Sequence, residues 1–410
     1  MTARLARWAR AWRSELAIAA TVTVARAILG NLVAAGVAEL IAVAAGVAIV
    51  ASPRARARAD HVLVDARHRR RWEAAIAGVW PAPATPKLLS FGQERYGPWV
   101  QVRVAPGSTV DDLGRRAGHL GAWMAVQTVR VNADPANAAL AVIQALCVDP
   151  LAAAAARWPW ADAASTNIWE PVPVGTDEAG RPVTIALAGH NLLIGGEPGS
   201  GKSVALSQLV AAAALDPDAA MFLLDGKLVE LAAWKGAADG FAGTDIAQAT
   251  ELLRHVQGVM EARYQWLLDT ARRKIDPGTS LAIVVIDELA HYLTWADKKP
   301  RDGFSDVLRD LVSRGRAAGV VVIAATQKPS TDIIPSSLRD LFGYRWALRC
   351  TTAAASDTIL GSGAATNGYS ASTIAPSLRG GGYLLHESGV PVRCRAHHLS
   401  DDDIARLGGL

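Results

Sequence analysis

The chain has 410 residues, half of them apolar, more than a single hydrophobic core ordinarily holds, so more than one folded unit is expected. Residues 1–71 carry twelve arginines against Glu15, Glu39, Asp60 and Asp65, a net of +8; the whole chain is only +4, so the other 339 residues sum to −4 and bulk charge gives no argument for nucleic-acid binding beyond the N-terminus. Cys147, Cys350 and Cys394 are widely separated, which excludes a disulfide framework and a cysteine metal knuckle and reads as reduced, cytosolic thiols.

From Leu16 to Ala51 the chain is almost wholly Ala, Val, Ile, Leu and Gly, interrupted by Arg26, Asn31 and Glu39. This is nearly twice the ~20 apolar residues that span a bilayer. Arginines on both flanks place both ends in the cytoplasm, so residues 1–59 are expected to form a basic segment and a two-helix membrane hairpin turning near Gly30 and Asn31. That reading puts the protein at the cell membrane with the rest of the chain cytoplasmic. A soluble pair of Ala-rich helices is the competing reading, whereas a signal peptide is opposed by the length of the stretch and by the arginines after it.

Residues 60–87 read as a charged helix and the Pro-rich linker PAPATP. A small α/β domain is expected over 88–160, with a strand at Trp99–Val104, a helix at Val110–Met124, a strand at Val126–Val131 and a helix at Pro135–Leu146. The polar, Pro-containing stretch Trp158–Val174 reads as a linker. Five short apolar runs follow, at Asn191–Ile194, Met221–Leu224, Ile283–Ile286, Val320–Ala324 and Tyr344–Cys350, each separated by helical pattern. Continuous apolar runs interleaved with helices predict an α/β motor domain over 161–410 with a parallel sheet.

The string GEPGSGKS matches the P-loop pattern at every required position, preceded by the strand HNLLIG and followed by the helix VALSQLVAAAAL. Gly196, Glu197, Pro198, Gly199, Ser200 and Gly201 are expected to wrap the phosphates of ATP with backbone N–H groups at a helix N-terminus. Lys202 is suited to the β- and γ-phosphates, and Ser203 to a Mg²⁺ ligand. The run AIVVIDE ends a second buried strand on Asp287, placed to hold the metal's water shell, and on Glu288, placed to act on the attacking water. A third strand, GVVVIAATQ, ends on Gln327, an amide placed to sense the γ-phosphate. Together these describe ATP hydrolysis.

GEPGSGKS, LLDGKLVEL, EARYQWL, VVIDELA, RGRAAGVVVIAATQKPS and RWALRCTT occur in the order and approximate spacing of the FtsK/SpoIIIE family, which the chain resembles from about Gly97 onward. The stretch GPWVQVRVAPGSTVDDL is similar to that family's domain preceding the motor. The resemblance implies a RecA-like motor in a homo-hexameric ring that threads double-stranded DNA at the expense of ATP, with an N-terminal membrane anchor. It carries the nucleotide-site roles onto Lys202, Ser203, Asp287, Glu288 and Gln327. Arg316 resembles the arginine that ring motors offer to a neighbouring subunit, with Arg314 and Arg345 as rivals. Departures are Gly226 where the family has Pro in Asp-Pro-Lys, and Ala355-Ser356-Asp357 where it has Asp-Ser-Arg. The end at Leu410 leads to the expectation of a compact protein without a winged-helix reader, similar to transfer proteins of plasmids and integrative elements. Alternatives are a coupling protein delivering relaxase-bound single-stranded DNA to a secretion channel, and a type VII-like protein-secretion ATPase. Candidate DNA contacts are the clusters Arg272, Arg273, Lys274 and Lys298, Lys299, Arg301.

Overall fold

The computed structural model describes residues 67–409 apart from Arg95, Tyr96, Gln127, Pro135, Val148, Glu387 and Ser388. The expected membrane hairpin lies outside the described residues, and among those described no helix is long and apolar enough to cross a membrane. The chain divides after Asp149 into two units.

In the first unit, helix α1 (residues 67–79) precedes strands β1 (Lys87–Glu94) and β2 (Gly97–Arg103). Helices α2 (Val110–Arg115) and α3 (Ala117–Met124) follow, then strands β3 (Thr128–Asp134) and β4 (Asn137–Leu146). The strands form an antiparallel sheet in the order β1-β2-β4-β3. Thr109 starts α2 with a reciprocal cap, accepting from the Asp112 amide at 3.2 Å while Asp112 accepts from the Thr109 amide at 2.7 Å.

Two expectations for this unit are corrected. The helix expected within 60–87 is present but is not simply a charged one: Trp72, Ala75, Ile76 and Trp80 make an apolar stripe at helical spacing that packs with Leu113, Leu120 and Met124 on Val100, Val102 and Ile143 of the sheet. The expected helix at Pro135–Leu146 is strand β4. Alanine favours helix locally, but β4 lies between β2 and β3, so it pairs on both edges, and Ala141, Ile143 and Ala145 alternate into the core.

The second unit is built on one ten-stranded sheet in the order β6-β5-β14-β13-β12-β7-β11-β10-β8-β9. Its strands are β5 (Val172–Asp177), β6 (Pro182–Ile185), β7 (Leu192–Gly195), β8 (Ala219–Asp225) and β9 (Gly240–Ala242), then β10 (Leu281–Asp287), β11 (Val320–Thr326), β12 (Tyr344–Leu348), β13 (Gly381–Leu385) and β14 (Val392–Ala396). All five predicted strands are present and mutually parallel, as β7, β8, β10, β11 and β12. Successive residues face opposite cores: Leu193, Phe222, Val284 and Val322 enter one, whereas Leu192, Met221, Ile283 and Val321 enter the other. Burial on both faces is why these strands read as unbroken apolar runs. Helices α4 (Lys202–Ala214), α5 (Ile246–Asp269), α6 (Leu289–Leu293), α7 (Lys298–Arg314), α8 (Ser336–Arg339), α9 (Ala353–Leu360) and α10 (Asp401–Leu407) complete the unit.

The sheet is mixed rather than purely parallel. Strands β13, β14, β5 and β6 extend it with antiparallel pairing, β13 joining the edge of β12. The expected linker Trp158–Val174 is also corrected, because it is folded onto this unit. Trp158 is 1% exposed and its indole N–H donates to the Pro173 carbonyl at 2.8 Å. The Trp158 amide donates to the His398 carbonyl at 2.9 Å, and Arg157 pairs with Asp162 and with Asp403 of α10. Residues 150–160 therefore belong with the second unit rather than with the small domain drawn over 88–160.

Candidate functional site

Parallel pairing brings the carboxyl ends of β7, β8, β10 and β11 to one edge of the sheet, the place where open α/β sheets bind ligands. Asp287 lies in register with Asp225, and Thr326 with Gly195, so the tips of four strands meet around the turn from β7 into α4. That turn is the predicted phosphate loop, Gly196–Ser203.

Its shape depends on glycine. Gly201 caps α4 at φ 98°, and a Cβ there would lie 2.5 Å from the Gly380 amide nitrogen. A Cβ on Gly196 would lie 2.6 Å from Ser200 Oγ and 2.9 Å from Leu348 Cβ. The loop is pinned from three sides. The Gly196 amide donates to Thr326 O at 3.2 Å, the Glu197 amide to Arg349 O at 3.0 Å, and the Gly380 amide to Ser200 O at 2.8 Å. The Glu197 carboxylate is further held by Arg349 and Thr351. Glu197 thus serves as a strut, and Pro198 and Gly199 form the arch between the fixed points. Such a loop is organised before any phosphate arrives.

Lys202 is 3% exposed and its ammonium pairs with Asp287, which is fully buried. Burial pushes the Asp287 carboxyl above its ordinary range, and the Lys202 ammonium opposes that shift. Asp287 Oδ2 is buried without a hydrogen-bond partner, an orphaned acceptor. Ser203 Oγ donates to Glu230 Oε1 at 2.5 Å, which spends the hydroxyl proton and leaves its lone pairs available. An unpartnered carboxylate oxygen and a hydroxyl oriented as acceptor, with a second carboxylate behind it, fit a hard divalent cation such as Mg²⁺.

Glu288 opens α6 in the left-handed region at φ 58°, an uncommon conformation for a side chain of this size. The turn aims its carboxylate at the end of β11. Oε1 accepts from Thr326 Oγ1 at 3.0 Å and from the Gln327 amide at 3.1 Å, and Oε2 lies 2.7 Å from the Lys227 ammonium. Burial raises the Glu288 pKa, but Lys227, the Gln327 amide and the Thr326 hydroxyl outweigh it and hold the carboxyl below its usual range. Gln327 is thus joined to Glu288 through its backbone.

The other predicted residues are not brought here. Arg316 lies in the turn before β11, at the end of that strand opposite Gln327, on a cavity of about 650 Å³ lined also by Arg273, Lys274, Arg314 and His190. Arg314 is committed to Glu261 at 2.8 Å and Asp310 at 3.0 Å. Arg345 pairs with Asp340 at 3.5 Å. The two basic clusters occupy opposite edges of the sheet, since Arg272–Lys274 precede β10 and Lys298–Arg301 follow its carboxyl end. They do not form one patch. Arg272 is also paired with Asp276 and stacked over Trp266, whereas Lys298 and Lys299 are exposed.

Lys227, Glu230, Thr326 and Asp225 are site residues that sequence reasoning passed over. The string LLDGKLVEL was singled out only as a likeness. Its local signal was an acid at the tip of a buried apolar strand, the same pattern that identified Asp287. Asp225 shapes the loop that follows, accepting from the amides of Lys227, Leu228 and Leu231 at 3.1, 2.8 and 2.9 Å.

Residues 151–362 match the FtsK/SpoIIIE family. DNA translocase FtsK of Streptococcus pyogenes serotype M6 is 29% identical over 335 residues, covering 75% of this chain and 40% of that protein. DNA translocase FtsK of Oceanobacillus iheyensis is 30% identical over 242 residues, covering 53% of this chain and 29% of that protein. The chain spans less than half the length of these curated relatives. Among solved structures, the pCW3 conjugation coupling protein TcpA, in a monomer form with ATPγS, superimposes with a TM-score of 0.55 at 21% identity, covering 82% of this chain and 98% of that one. That likeness is one of fold.

Proposed function

The chain belongs to the FtsK/SpoIIIE family, and on that premise we propose that it is an ATPase that drives double-stranded DNA through a homo-hexameric ring. The observation that carries the hydrolytic part is the meeting of Lys202, Asp287, Glu288 and the Gln327 backbone around one preorganised phosphate loop. The DNA part is supported by the relatives, which are named DNA translocases.

In this reading the loop amides and Lys202 bind the triphosphate, so Lys202 must exchange Asp287 for phosphate when ATP enters. Ser203 and Asp287 would hold Mg²⁺, which supplies positive charge to the phosphates when bound. Asp287 would serve the cation through Oδ2, which is unpartnered, while Lys202 holds Oδ1. Glu288, kept as a carboxylate, orients and deprotonates the water. Arg316, remote from its own chain's phosphate loop, acts on the nucleotide of the neighbouring copy. Membrane anchoring by residues 1–59 is part of the proposal and is supported by the length and flanking charges of the apolar stretch. So is a role in plasmid or mobile-element transfer, for which the support is the likeness in fold to a protein named as a conjugation coupling protein.

The test is the ATPase rate with duplex DNA, with single-stranded DNA and with neither. Duplex DNA should stimulate most. Greater stimulation by single strands would favour a coupling protein for relaxase-bound DNA, and stimulation by neither would favour a protein-secretion motor.

A further inference from the structure

We propose that Lys227 is the γ-phosphate sensor of this site: it holds Glu288 idle while the site is empty and moves to the γ-phosphate when ATP binds. The inference rests on the reading of Glu288 as the group that acts on water.

The first observation is that three donors already occupy Glu288. Oε1 takes the Thr326 hydroxyl and the Gln327 amide, and Oε2 takes the Lys227 ammonium at 2.7 Å and a second, longer contact from the Gln327 amide at 3.3 Å. Three donors on about four lone-pair sites, with the Gln327 N–H shared between both oxygens, leave little room for a water proton, and an ammonium against the carboxylate lowers its basicity. Departure of one donor frees a lone pair and restores the basicity that acting on water needs. Thr326 and the Gln327 amide sit at the end of a central strand whose residues are buried. Lys227 is on a loop and its side chain is 34% exposed, so it is the donor able to move.

The second observation is that the loop itself stays in place. Asp225 binds three of its amides, and the Gly226 amide donates to Asp287 O at 3.2 Å. A Cβ on Gly226 would approach His291 Cβ, Asp287 O and Glu288 O at 3.0–3.3 Å, so the backbone lies flat against the β10–α6 turn. Only the lysine side chain has freedom, and its four-carbon stem lets the ammonium swing between neighbouring anions.

The third observation is charge. Lys202 and Lys227 are two ammoniums against the carboxylates of Asp287, Glu288 and Glu230, so the empty site is already negative. A triphosphate adds at least three more negative charges. A base that activates water lies about 3 Å from it, so the cation on that base is about one water's width from the γ-phosphate. ADP places no charge there. The exchange would therefore release Glu288 only when the phosphate to be cleaved is present, and would return Lys227 to Glu288 after phosphate departs.

The experiment measures equilibrium binding of ATPγS and of ADP, with Mg²⁺, to the full chain and to the Lys227→Met, Lys227→Arg and Glu288→Gln variants. Lys227→Met should weaken ATPγS about tenfold or more and leave ADP within about twofold, as expected for one charge-assisted contact. Lys227→Arg should keep most of the preference for ATPγS. Glu288→Gln should tighten ATPγS, because Lys227 no longer has to abandon a carboxylate. Equal loss of both nucleotides in Lys227→Met would show a merely structural lysine and overturn the inference, as would a Glu288→Gln variant whose ATPγS affinity is unchanged. The base reading is judged separately, by turnover of Glu288→Gln: near wild-type hydrolysis there would remove it, whatever the binding ratios.

Discussion

Replacing Lys202 by Met tests whether the buried ion pair is as consequential for stability as its surroundings imply. The Lys202 and Asp287 side chains are 2% and 0% exposed, which removes the pair from the class of surface salt bridges worth under ~1 kcal/mol. Met keeps the length and most of the packing of lysine while deleting the charge. Asp287 is then left in the core with one oxygen orphaned already and the other stripped of its partner. Removing one member of a buried pair costs about 3–5 kcal/mol. For a unit the size of residues 150–410, at about 2 °C per kcal/mol, the motor's melting temperature should fall by roughly 6–10 °C. The double change Lys202→Met with Asp287→Leu should recover most of this, because an apolar pair has no desolvated charge to compensate. Near-UV circular dichroism on heating follows the tryptophans buried in this unit, Trp158, Trp234 and Trp346. A single variant melting within about 2 °C of wild type, or a double variant no better than the single, would refute the reasoning.

Two further outcomes are expected. Trp158→Ala should destabilise the motor by about 3–5 kcal/mol, the cost of truncating a fully buried tryptophan; a change under about 1 kcal/mol in urea denaturation would mean that residues 150–174 are a tether after all. Arg316→Ala and Lys202→Ala proteins, each inactive alone, should regain ATPase activity when co-assembled, since a complete site can form where an intact phosphate loop meets an intact Arg316. An Arg316→Ala protein with full DNA-stimulated activity by itself would eliminate the trans role.

What the sequence determined unaided is the loop Gly196–Ser203 and the strands that surround it. A phosphate loop is a local object: eight consecutive residues supply the glycines, the lysine and the hydroxyl, and the flanking strand and helix are continuous with them. Strands β7, β8, β10 and β11 were legible because burial on both faces leaves an almost unbroken apolar run, and Asp287, Glu288 and Gln327 were legible because they stand at the ends of such runs. Tertiary structure alone decided the rest. Strand β4 reads as helix from its alanines until pairing on both edges overrides that preference. The stretch around Trp158 reads as linker until His398 and Asp403, more than 230 residues away, receive it. Lys227 and Glu230 lie 61 and 27 positions from the residues they touch, Glu288 and Ser203, and no spacing rule joins them. Lys227 meets Glu288 because β8 and β10 are neighbours in register, and strand pairing is settled by the packing of both cores at once rather than by any segment of the chain.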